Sequence, residues 1–100
     1  MIPPAYELVL SILLSGIGLF GILTRRNAII VLMSVEIILN AAILNFVAFS
    51  TYSNDPGGQV FALLAIAVAA GEAAIGLAIF INVYATHGTI QLDKIRFLRW

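Results

Sequence analysis

Residues 60–84 read VFALLAIAVAAGEAAIGLAIFINVY, an almost wholly apolar run with one ionisable side chain, Glu72, near its middle. An α-helix that crosses the hydrocarbon core of a bilayer takes roughly 20 apolar residues at about 1.5 Å per residue. The run has that length and composition, so it reads as a membrane-spanning helix. Glu72 is then an acid placed where charge is most costly. Working outward, two further apolar runs qualify, at about 6–23 and 28–49, and the second again holds an acid, Glu36. The fold class that follows is an all-α membrane protein, a single three-helix membrane domain over 1–100.

The composition agrees. Of 100 residues, 62% are hydrophobic and 10% charged, with a mean hydropathy of +1.09. A soluble domain has about 25% charged residues, and no room is left here for one beside the spans. Lysine plus arginine and aspartate plus glutamate each number 5, so no basic surface for nucleic acid exists. Cysteine is absent, which excludes disulfides, thiolate-held iron–sulfur clusters and cysteine nucleophiles in this chain. The start, MIPPAYE, lacks the basic segment of a signal peptide, and the first apolar run is expected to be retained as a span.

The connections set the topology. TRRN (24–27) is short, so the first two spans form an antiparallel hairpin. STYSNDPGGQ (50–59) carries Asn-Asp-Pro-Gly-Gly, a turn signal. The tail ATHGTIQLDKIRFLRW (85–100) holds Lys94, Arg96, Arg99 and Trp100 and is expected at the membrane interface. Basic residues near span ends stay in the cytoplasm. Arg25 and Arg26 in the first loop and the three in the tail agree on one orientation, with the N-terminus outside and the C-terminus in the cytoplasm.

GIGLFG (16–21) matches the glycine fingerprint of dinucleotide sites, but that motif works after a strand. Inside an apolar span, small residues serve close helix packing instead. Ser11, Ser15 and Gly18 make a narrow face for a neighbour. In the third span Ala67, Gly71, Ala74 and Ala78 form one small-residue stripe and Ala65, Ala69, Glu72 and Gly76 a second, which favours helix contact over lipid contact for the glutamate. In the second span Glu36 and Asn40 share a face, one turn apart, and Ser34 and Asn45 share a roughly opposite one. Neither flank should then look at lipid, so this helix is expected between protein neighbours. Three helices cannot enclose so many polar faces, and partner subunits are expected. His87, the sole histidine, reads as an interfacial polar residue, and Glu7 as a solvated interfacial charge.

An ionisable residue at a helix centre raises the insertion free energy by roughly 2.5–3.5 kcal/mol, against gains of about 0.3–0.6 kcal/mol for each Leu, Ile, Val or Phe. Each span can absorb one acid, yet a neutral residue is the default. Intramembrane acids ordinarily serve proton or ion transfer. The rival reading is a hydrogen-bonded clamp between helices in a purely structural subunit. Both acids fall near mid-membrane, as successive stations for a proton would.

The chain resembles the subunit K family of NADH–quinone oxidoreductases, the respiratory complex I membrane arm. The resemblance rests on the start MIP, GILTRRNAI (21–29), VEIILNAA (35–42) followed by NFVAF, and GQVFALLAIAVAAGEAAIGLAI (58–79). It implies a non-redox membrane subunit of a proton-translocating enzyme. Glu36 and Glu72 match the family's two membrane acids and would relay protons, with Asn40 as a polar helper. Arg25 and Arg26 match the family's arginine pair, for subunit contact and topology. The resemblance further implies no cofactor in this chain; FMN, iron–sulfur clusters and quinone belong to other subunits. The partners implied are other membrane-arm subunits and lipid, in the bacterial inner membrane, or in a thylakoid membrane if the cyanobacterial and plastid character of the ending FLRW holds. Gly71 departs from the family's usual alanine. The alternative is a small subunit of a multisubunit cation/proton antiporter or membrane-bound hydrogenase, which the second acid and the arginine pair disfavour.

Overall fold

A computed structural model describes residues 3–94 of the chain. It contains three helices, α1 (Pro4–Thr24), α2 (Ala28–Ser53) and α3 (Gly57–His87), and a short 3-10 turn at Leu92–Lys94. Each of the three is long and apolar enough to cross a membrane. Arg96, Arg99 and Trp100, on which part of the tail and orientation reading rests, lie outside the described residues.

Local chemistry sets the helix ends. Pro4 sits in the first turn of α1, where its missing N–H removes no helical bond. The Asn27 side chain accepts from the N–H groups of Ile29 and Ile30 and so caps α2. Asn54 ends α2 in the left-handed region at φ 56°, and Gly88 ends α3 at φ 71°. The helices overrun the apolar runs. Thr51, Ser53 and Thr86 bond to the carbonyls of Val47, Phe49 and Asn82. A hydroxyl satisfied on its own helix no longer needs water, so hydropathy marked the end of the apolar run and not the end of the helix. Residues 85–87, expected in the tail, are the last of α3.

The helices stand in a row with α2 in the centre, packed against α1 on one side and α3 on the other. The extents of 54 × 25 × 18 Å fit that layer rather than a closed bundle. Small residues make both contacts. Ser11 and Gly18 of α1 are buried against Ser34 and Ala41 of α2, which are buried too. A Cβ on Gly18 would lie 2.7 Å from the Ser34 carbonyl oxygen and press on Ile38, while Gly21 faces the Ser34 hydroxyl. On the other side, Gly58 faces the backbone of Phe46 and the Ser50 side chain, Gly76 touches Leu32, and Phe46 stacks on Phe61 with centroids 5.9 Å apart. Of the two α3 stripes, Ala65, Ala69 and Gly76 are half-buried on α2, whereas Ala67, Gly71, Ala74 and Ala78 are exposed.

The start of the tail turns back onto the first loop. Ala28 donates its N–H to the Ile90 carbonyl at 2.9 Å, Leu92 donates to the Arg26 carbonyl at 2.8 Å, and Asn27 and Gln91 form an isolated antiparallel bridge. Ala28 is fully buried beneath it. The first loop and this part of the tail therefore share one end of the molecule.

Two predictions follow from the packing. Gly18→Ala is expected to destabilise the folded protein by about 1–3 kcal/mol, the usual range for overpacking, because the obstacle is backbone. Gly16→Ala, whose Cβ meets nothing within 4 Å, is expected to be harmless. Thermal melts of the two variants in detergent check this, and equal melts would mean that the helices separate freely at Gly18. In intact cells a cysteine at Ser53 is expected to react with an impermeant thiol reagent, and one at Thr89 only after permeabilisation. Labelling of Thr89 from outside would reverse the orientation.

Candidate functional site

Glu36 stands eight residues from the start of α2 at Ala28, about 12 Å along the axis. It is half-buried in a groove of about 280 Å³ beside α3, lined by Ile29, Leu32, Met33, Ile37, Asn40, Ala73 and Leu77. Asn40 shares the groove one turn on, as the helical spacing requires. Glu72 lies midway along α3, equally far from Gly57 and His87. It is exposed, at the rim of a second groove of about 300 Å³ whose α2 wall is Leu39, Ala42, Ile43 and Phe46.

The α2–α3 register relates the two acids. Gly58 meets Ser50, Phe61 stacks on Phe46 and Gly76 touches Leu32. Counting along the antiparallel helices from these contacts brings Glu72 level with Glu36. The two grooves share no residue. The acids thus sit at one depth on opposite flanks of a single helix–helix seam. Among the described residues neither has a hydrogen-bond or ion-pair partner. The small-residue stripe that carries Glu72 does pack on α2, but the carboxylate itself is at the open edge.

Arg25 and Arg26 are exposed at the end that the tail covers. Arg26 pairs with Asp93 at 3.4 Å, and its side chain is 75% exposed. Exposed pairs of this kind contribute about 0.2–1 kcal/mol, so the backbone pairing beside it holds the tail more than the charge does. No ion pair of Arg25 is found among the described residues.

One polar group was misjudged from the sequence. Glu7 is not a solvated interfacial charge; it is 9% exposed and buried between α1 and α2. One amide end of Asn45 lies 2.5 Å from a Glu7 carboxylate oxygen and 3.1 Å from the Ser11 hydroxyl, and the other end lies 3.0 Å from that hydroxyl. Ser11 also reaches the Ala41 carbonyl at 3.4 Å. The signal was present: Glu7 is one turn before Ser11, on the very face that Ser11 and Gly18 define. Proximity to the chain start made it look like an end-of-span charge, whereas α2 continues for eight residues beyond Asn45 and covers it.

Three apolar helices with carboxyl groups in and between their grooves define a polytopic membrane protein with intramembrane acids, a class whose ordinary chemistry is the transfer of protons or ions. The profile of the NADH-ubiquinone/plastoquinone oxidoreductase chain 4L family matches residues 6–100, and the chain belongs to that family. It is similar to NADH-quinone oxidoreductase subunit K of Anaeromyxobacter sp. (strain Fw109-5), 51% identical over 98% of both chains. It is also similar to subunit K of Myxococcus xanthus (strain DK1622), 52% identical over 99% of both. Subunit K of Flavobacterium johnsoniae is 53% identical over 90% of this chain and 85% of its own. The resemblance read at 21–29, 35–42 and 58–79 therefore extends over nearly the whole chain.

Proposed function

We propose that this chain is a non-redox membrane subunit of a proton-translocating NADH–quinone oxidoreductase, in which Glu36 and Glu72 pass protons across the α2–α3 seam. One observation carries the reading: two carboxyl groups at the same level along the helices flank one seam, and neither has a partner among the described residues. A clamp between these helices would need such an acid to close a bond across the seam, and neither does so among the described residues. An acid held ready for a mobile proton needs its carboxyl oxygens accessible to water or to a partner's side chain. Asn40, in the Glu36 groove, offers an amide that donates or accepts and so helps to order that water.

The electron chemistry lies outside this chain. Flavin, iron–sulfur clusters and quinone are expected in other subunits, and the donor is expected to be NADH, as the names of the relatives indicate. Those names also favour this reading over an antiporter or hydrogenase subunit. Neighbouring membrane-arm subunits would cover the exposed stripe of Ala67, Gly71, Ala74 and Ala78, and Arg25 would meet acidic groups or carbonyls of such a neighbour. The site of action is the bacterial inner membrane.

Glutamine keeps the shape of glutamate and much of its hydrogen bonding but cannot take up and release a proton at physiological pH. Glu36→Gln is expected to assemble and to lose most proton pumping. Adding Asn40→Glu or Leu32→Glu, in the same groove one turn away, is expected to restore part of it. Ile38→Glu is not, because Ile38 faces Gly18 of α1. Acidification of inverted vesicles at equal assembly reads this out, and equal pumping by all variants would remove the relay. Changing Arg25 and Arg26 together to alanine is expected to lower the yield of assembled complex more than Asp93→Asn does, as read by native electrophoresis. Equal yields would leave the arginines with no part beyond setting the orientation.

A further inference from the structure

The Glu7–Ser11–Asn45 cluster lies outside the proposed seam. Asn45 is nine residues beyond Glu36 on α2, about 13.5 Å further along the axis, and on the flank that faces α1. Counted from Ser53 it is as deep as Glu36 counted from Ala28. The cluster is thus placed toward the second-loop end, with a depth from that end equal to that of Glu36 from the other.

Its geometry fits two charge states. With the Asn45 nitrogen toward Glu7, the amide donates to an ionised carboxylate at 2.5 Å and its oxygen accepts from the Ser11 hydroxyl at 3.0 Å. With the amide reversed, its oxygen accepts from a protonated Glu7, and its nitrogen donates to the Ser11 oxygen across the same 3.0 Å. Ser11 then turns its proton to the Ala41 carbonyl. A carboxamide has a donor end and an acceptor end of nearly equal size, so a half-turn of one side chain satisfies either form without moving a helix.

A cavity of about 510 Å³ opens beside the carboxyl, lined by Tyr6, Glu7, Leu10, Leu44, Val47, Ala48, Thr51 and Tyr52. A water molecule occupies about 30 Å³ and needs polar partners; on these largely apolar walls Tyr6, Glu7, Thr51 and Tyr52 carry the polar groups. The other titratable groups on its walls are Tyr6 from α1 and Tyr52 from α2; among the described residues no lysine, arginine or histidine lines it.

We propose that Glu7 is a third proton-binding group of this chain, exchanging protons with the second-loop side of the membrane through this cavity, and that Asn45 is a positioning residue that serves both of its charge states. On uptake a proton passes from cavity water to a Glu7 carboxylate oxygen and the Asn45 amide reverses; on release both steps run backward. The purpose of this exchange rests on the proton-transfer reading of Glu36 and Glu72, but the exchange at Glu7 does not.

The test uses the intact wild-type complex in membranes. Dicyclohexylcarbodiimide adds to protonated carboxyls in apolar surroundings and leaves a stable acylurea that peptide mass spectrometry locates. Glu7 is expected to be labelled in acid, with labelling falling as the pH is raised. Leucine at position 45 cannot donate to the carboxylate, so Asn45→Leu is expected to carry labelling to higher pH, a change that a merely structural role would not produce. Absence of labelling at every pH, as for a carboxylate permanently ionised or paired with a neighbour's cation, would overturn the proposal. So would labelling that ignores pH, or an Asn45→Leu profile identical to that of the wild type. Failure of the Glu36 reading shows up in pumping and leaves this labelling untouched, so the two remain separable.

Discussion

The governing constraint is that α2 is polar on two flanks. Glu36 and Asn40 mark one, Ser34 and Asn45 the other. In a bilayer an uncovered polar group finds no water, so α2 needs protein on both sides. The centre of the row is the position that meets this need. Lipid tails are as apolar as leucine, and helices therefore associate through close packing and hydrogen bonds more than by expelling water. That is why the contacts are made by Gly18, Gly21, Gly58 and Gly76 and by buried serines. Among the described residues the buried apolar side chains are all alanines, Ala28, Ala41 and Ala62.

The same arrangement separates two environments for acids. Between α1 and α2 Glu7 has fixed partners, an amide and a hydroxyl, and meets a cavity on one side only. At the α2–α3 seam the acids occupy grooves, where whatever enters the groove decides. A partnered acid and unpartnered ones on the same three helices answer to different neighbours, although their side chains are identical.

The fold was legible because length and hydropathy are coarse properties that any run of apolar residues displays. The face assignments were legible too: Ser11 with Gly18, Glu36 with Asn40, and Ser34 apart from both follow from the turn of the helix. Helix ends were less so, since Thr51, Ser53 and Thr86 read as loop formers while their hydroxyls sit on their own helices. The relation between Glu36 and Glu72 was hidden because register depends on contacts such as Gly76 with Leu32, which no periodicity in one helix contains. Glu7 was hidden for a kindred reason: its depth is set by how far α2 runs past it, a property of another element.

The pairing of residues 90–92 with the first loop has a consequence in time. The carbonyl of Arg26 and the N–H of Ala28 find these partners in a segment synthesised after α3. The hairpin of α1 and α2 is made early, yet its connecting loop stays incomplete until the last helix has crossed and the chain has turned back. That closure can form only after α3 has returned the chain to the end of the molecule where the first loop lies.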